Sequence, residues 1–89
     1  MSEPATKIPH QHSLDATGLN CPLPILKTKV QLTRMQTGEV IYVTATDPHS
    51  KIDFEAYCAR SGHELLETRE SDGLFEFFIR KAADASPTP

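Results

Sequence analysis

Tryptophan is absent from this 89-residue chain and cysteine occurs only twice, as Cys21 and Cys58. Two cysteines so far apart match no zinc-ligand spacing. The short "HQH" at His10–His12 has no carboxylate or thiol beside it, so no metal site is expected. Positive charge is not in excess either: 9 Lys and Arg stand against 12 Asp and Glu, a net charge of −3. Without a basic footprint, direct nucleic-acid binding is not expected, and any contact with RNA would run through a partner. No apolar run approaches the roughly 18 residues of a membrane helix, and "MSEPATKIPHQHS" has no apolar stretch behind a basic start. Neither a membrane span nor a secretory signal is predicted. A cytoplasmic location follows as the default, and there the cysteines are expected to be thiols rather than a bridge.

What is present fits one domain of about 70 residues. Residues 1–11 and 82–89 ("AADASPTP") show no apolar periodicity and read as disordered tails around a domain at 12–81. Within it, "HSLDATG" is a short strand ending at Gly18. A helix from Pro22 to Gln36 closes on Gly38 as a left-handed cap. "EVIYVTATD", rich in β-branched residues, is a strand stopped by Asp47-Pro48. Residues 50–61 form a second helix with Ser50 as N-cap, Asp53 completing an imperfect capping box, and Gly62 at the end. "HELLETRE", "SDG" and "LFEFFIRK" make a hairpin in which Gly73 supplies a positive φ. The order is βαβαββ. Right-handed crossovers make the first two strands parallel and set both helices on one face. The predicted fold is α+β, a two-layer sandwich with a mixed four-stranded sheet.

The chemistry concentrates in "GLNCPLPILKTKV". On the first helix Ile25, Thr28, Leu32 and Met35 share the longer stripe, assigned to the core. Leu23, Leu26 and Val30 lie nearly opposite, either covered by the second helix or exposed as a small docking patch beside Cys21. Pro22 suits the first helical position, which makes Cys21 the cap residue. A thiol there meets the positive end of the helix dipole, favouring thiolate. Activation is expected to be moderate, because Pro24 removes another amide from the first turn. Lys27 and Lys29 add positive charge within two turns. The bland alternative is an inert cap sulfur, although Ser, Thr, Asp and Asn all cap better. Cys58, at i+4 from Phe54, reads as core. It would stand about 12 Å along its helix from the level of Cys21, beyond the reach of about 7 Å that a disulfide allows. Asp15, Asp47, His49 and Lys51 belong to the same sheet end as Cys21, where strand C-termini place functional loops. His49 reads most simply as a solvated loop residue, and His63 as structural or solvent-facing.

The stretch "LDATGLNCPLPILKTK" resembles the TusA (SirA-like) family of small bacterial sulfur carriers, whose signature is Cys-Pro-x-Pro at the start of the first helix. The likeness runs from about Leu14 to Lys81 and includes Gly38-Glu39, Asp47-Pro48 and the Asp-Gly hairpin. It implies a sandwich similar to the C-terminal domain of bacterial translation initiation factor three, with no cofactor and no metal. It also implies that Cys21 is the reactive cysteine and that Pro22 and Pro24 position it. Cys58 coincides with a second cysteine of some members and receives no role. Where some members carry a partner-contacting arginine at the second helix, this chain has Lys51-Ile52.

The activity so implied is a persulfide relay by a sulfurtransferase. Cys21 would take sulfane sulfur from a donor such as a cysteine desulfurase or rhodanese-like protein, then pass it to an acceptor thiol protein. Leu23, Leu26 and Val30 would offer contact area, and Lys27, Lys29, Asp47 and Lys51 electrostatic guidance. Destinations in the family include thiolation of the tRNA wobble uridine, molybdenum-cofactor maturation and sulfur oxidation. The carrier is expected to be a monomer. The rival readings are a thiol redox sensor and a regulatory interaction domain without sulfur transfer.

Overall fold

The structure, a computed structural model, describes residues 9–82. Of the tails expected at 1–11 and 82–89, residues 1–8 and 83–89 lie outside the described residues. Period-2 apolar patterning produces the two central strands, β2 (Val40–Ala45) and β4 (Leu74–Arg80). Edge positions fall to β1 (His12–Ala16) and β3 (Glu64–Ser71), in the order β1-β2-β4-β3. Parallel pairing joins β1 to β2, with Leu14 opposite Val43 and Ala16 opposite Ala45. The remaining pairs are antiparallel, with Val43 opposite Phe77 and Thr68 opposite Phe77 on its other side. Asp72 and Gly73 (φ 53° and 82°) form the tight β3–β4 turn, the two positive φ values that a two-residue hairpin matching the sheet twist requires. Charged residues and a bulge between Leu65 and Glu67 mark β3, devices that discourage edge-to-edge pairing.

Both helices cover one face of the sheet, α1 over Leu23–Arg34 and α2 over Ser50–Ser61. Their apolar stripes, Ile25, Leu32, Phe54 and Cys58 among them, join alternate residues of the strands (Ala16, Ile41, Val43, Ala45, Phe75, Phe77, Ile79) in one buried cluster. Phe54 stacks on Phe77 with ring centroids 4.2 Å apart, coupling α2 to β4. Thr28 is tolerated in this core because its hydroxyl donates to the Pro24 carbonyl at 2.9 Å. On the opposite face Phe78 is buried under His10, Tyr42 and Arg69, and the Tyr42 hydroxyl donates to Glu76 at 2.5 Å. Among the described residues no helix is long and apolar enough to cross a membrane.

The sandwich, its connectivity and its α1 core stripe agree with the sequence reading, but several element ends differ. The first strand stops at Ala16, before the Thr17-Gly18 turn. Helix α1 begins at Leu23 and ends at Arg34, with extended Met35 as its C-cap. Gly38 is therefore not the cap. Its N–H donates to the Lys81 carbonyl, and the Lys81 ammonium donates to the Met35 carbonyl at 2.8 Å, so the C-terminal end of β4 receives the helix end. In α2 the N-cap position is His49, and Ser50 is the buried first residue, with no hydrogen-bond partner on its hydroxyl among the described residues.

The two stripes of α1 differ sharply, since Leu32 is 1% exposed and Leu26 45%. Leu32→Ala is expected to cost about 2–5 kcal/mol, and Leu26→Ala less than about 0.5 kcal/mol. The urea midpoints of the two variants measure both values.

Candidate functional site

Parallel strands deliver their C-terminal loops to the same end of a sheet, and here β1 and β2 do so. The β1–α1 loop turns at Gly18, whose φ of 81° lies in the region glycine occupies without strain. Two hydrogen bonds fasten it to the β2–α2 loop. Gly18 N–H donates to Thr46 Oγ1 at 2.9 Å, and Cys21 N–H donates to Asp47 Oδ2. Asp47 also accepts from His49 N–H through Oδ1 at 3.0 Å, which sets its carboxylate between the two loops and holds its pKa below the ordinary carboxylate value. Leu23 N–H donates to the Asn20 carbonyl at 2.8 Å, closing the turn that contains Cys21. Pro22 is exposed, Pro24 is buried beneath the first turn, and the Cys21–Pro22 peptide is cis.

The thiol so presented is exposed and unbridged. It is not the helix cap: Pro22 holds that position, one residue closer to the helix. Nor does the helix dipole activate it. Pro22 and Pro24 have no N–H, and that of Leu23 is spent on Asn20, so the first turn has few amides to offer an anion. Instead, Cys21 Sγ–H donates to Asp53 Oδ2 at 2.9 Å. That bond, then desolvation, then the negative charges of Asp53 and Asp47, push the thiol up to about 11. The expected thiolate is thus corrected to a thiol.

Of the two lysines expected to stabilise an anion at Cys21, one faces an aromatic ring and the other borders a groove. Lys29 Nζ lies 5.2 Å from the centroid of the Tyr57 ring, and Lys27 lines a shallow groove with Leu14, Val30, Gln31 and Arg34. Lys51 is exposed in the first turn of α2. Asp15 accepts from Thr17 and Thr44 and closes the end of β1. Of the two fates open to the second α1 stripe, exposure is the one realised: Leu23, Leu26 and Val30 are 45%, 45% and 50% exposed. Ile52, 63% exposed and adjacent in sequence to Asp53, adds an apolar side chain that the sequence reading missed. By sequence Asp53 signals only the imperfect capping box with Ser50, and its contact with a thiol 32 positions away leaves no local signal. Cys58 is buried, and burial alone raises its thiol to about 11. Among the described residues no three His, Cys, Asp or Glu side chains converge as metal ligands.

A two-layer α+β domain holding one exposed thiol in a doubly anchored turn, next to an apolar helix face, has the layout of a small thiol-exchange module. A family model described as Sulfurtransferase TusA matches residues 12–81. The sulfur carrier protein TusA of Allochromatium vinosum is 52% identical over 69 residues, covering 78% of this chain and 91% of that protein. That of Pseudomonas entomophila is 42% identical over 79 residues, covering 89% and 99%. The crystal structure of a SirA-like protein from Desulfitobacterium hafniense superposes with a TM-score of 0.72 at 26% identity, over 81% of this chain and 99% of that one. The chain belongs to the TusA family.

With its thiol raised to about 11, Cys21 ionises only as pH climbs through that value, so near neutrality the thiolate is a small minority. Its iodoacetamide alkylation rate is expected to rise about tenfold per pH unit from about pH 7 to about pH 9.5 without levelling off. Cys58 should stay unlabelled until the protein is unfolded. Peptide mapping of pulse-labelled protein measures both.

Proposed function

We propose that the protein is a sulfur carrier that holds sulfane sulfur as a persulfide on Cys21 between a donor and an acceptor protein. The observation that carries this reading is the exposed Cys21 thiol on an anchored turn inside the family's Cys-Pro-x-Pro motif. In the loading step Cys21 Sγ attacks the terminal sulfur of a donor persulfide, the donor's S–S bond breaks, and the donor leaves as a thiol. Unloading repeats the exchange, with an acceptor cysteine attacking the terminal sulfur of the Cys21 persulfide. Both steps exchange one S–S bond for another, so neither an oxidant nor a cofactor is consumed.

The donor is a cysteine desulfurase or rhodanese-like protein in the cytoplasm, and the acceptor is a thiol protein of tRNA thiolation, cofactor maturation or sulfur oxidation. The carrier acts as a monomer and makes no direct contact with nucleic acid. Leu23, Leu26 and Val30 form the dry centre of the docking surface. Lys27, Lys29, Lys51 and Asp47 supply charge around it, while Pro22 and Pro24 stiffen the turn.

Incubation with a cysteine desulfurase and cysteine is expected to add one sulfur, about 32 Da, to Cys21, removable by reductant. Cys21→Ser should abolish the gain and Cys58→Ser should keep it. Intact-mass spectrometry that finds added oxygen instead, or no addition, rejects the carrier reading. Leu26→Asp is expected to slow protein-to-protein transfer about tenfold, as loss of an apolar interface anchor does. It should leave alkylation of Cys21 by small iodoacetamide unchanged, which separates docking from thiol chemistry.

A further inference from the structure

We propose that Asp53 is a positioning residue for this exchange: its carboxylate holds the Sγ proton of the empty carrier and repels the persulfide anion of the loaded one. The inference rests on the sulfur-carrier reading and adds to it the residue that sets the balance between the two forms.

The geometry begins in the core. Phe54, completely buried and stacked on Phe77, fixes the first turn of α2, and Asp53 N–H donates to the His49 carbonyl at 3.0 Å. Asp53 is thereby held on the side of α2 that meets the β1–α1 loop, with Oδ2 at 2.9 Å from Cys21 Sγ. Cys21 is fixed independently through its N–H bond to Asp47. The charged groups acting on Sγ are therefore two carboxylates, Asp53 from α2 and Asp47 from the β2–α2 loop. Of the nearby lysines, Lys29 faces Tyr57 and Lys27 lies in the groove beside Leu14.

A hydrogen bond to the protonated form favours that form, so the empty carrier rests as a thiol. On loading, Cys21–SH and a donor R–S–SH become Cys21–S–SH and R–SH. The Sγ–S bond forms as the donor's S–S bond breaks, and the proton that left Sγ ends on the donor sulfur. Sγ then has no proton to donate to Asp53. Persulfides are more acidic than thiols, so the terminal sulfur is an anion close to two carboxylates, and Coulomb repulsion drives it outward. The same carboxylate thus stabilises the empty state and raises the loaded one. Sulfur is pushed toward an acceptor.

Two measurements on the full-length protein test this. Asp53→Asn keeps the side-chain volume and removes the charge. The alkylation profile of Cys21 should then begin to level off at a lower pH than that of the wild type, and Asp53→Glu should restore the wild-type profile. The rate gain near neutrality will be modest. Each unit of lowered pKa yields about tenfold more thiolate but costs it about threefold in nucleophilicity, a net of about threefold. When persulfide-loaded wild type is mixed with an equal amount of empty Asp53→Asn protein, sulfur should accumulate on the variant at equilibrium, read by intact mass. An alkylation profile identical in the variant and the wild type overturns the assignment, as does an even partition of sulfur. Should the Asn variant fail to fold, the infrared S–H band that Cys21→Ser removes from the wild-type spectrum decides: a band lowered by a strong acceptor supports Asp53, and a free-thiol band overturns it. Failure of the wild type to take up any sulfur would reject the carrier reading alone, because alkylation and the S–H band report on Asp53 without a donor.

Discussion

Parallel pairing of β1 with β2 is the constraint on which the site depends. It forces the loops after both strands to leave the sheet at one end, and the Cys21–Asp47 and Gly18–Thr46 bonds then lock them together. Neither loop is rigid by composition alone. Their anchoring comes from Thr46 and Asp47 side chains of the β2–α2 loop accepting from backbone donors of the β1–α1 loop. The pairing in turn needs α1 as its crossover, and α1 is held by Ile25, Leu32 and Met35 in the core. Cys21 is thus mounted on a tripod of strand, crossover helix and neighbouring loop while its sulfur stays in solvent.

This mounting resolves an apparent contradiction between exposure and quiescence. An exposed thiolate invites oxidation and unprogrammed exchange, since the thiolate is the reactive species. Carboxylates beside Sγ reduce that population with no need to bury the sulfur. A protein partner whose docking places a cation against Asp53 or Asp47 would cancel the effect within the complex, where screening by solvent is weaker than at a free surface. Reactivity is then coupled to recognition by the correct partner, and small-molecule encounters gain little.

The sequence carried most of the fold because its signals were periodic. The Ile25–Thr28–Leu32–Met35 stripe, the β-branched run of β2 and the Asp72-Gly73 turn each encode local geometry. The end of α1 escaped because its termination is tertiary: Lys81, some 46 positions on, takes the Met35 carbonyl. Ser50 looked like a cap by residue type, yet the chain turns one residue earlier, at His49, and draws Ser50 into the packed side of α2. Cys21 was legible through its flanking prolines, whereas its acidity was not. Dipole reasoning considers one helix, and the charge that dominates comes from the other.

The apolar stripe beside the thiol completes the physical picture through its size. Leu23, Leu26 and Val30 are each about half exposed, three side chains where a stable complex engages about 20–30 residues a side. In the proposed docking role, contact centred on so few apolar side chains favours fast dissociation, because affinity differences between related complexes lie mostly in the off-rate. A relay needs that property twice, once in leaving the donor and once in leaving the acceptor. In the proposed relay a larger patch would tighten docking on both partners and slow turnover, so a small apolar patch and the proposed repulsion of the terminal sulfur act in the same direction: both favour release.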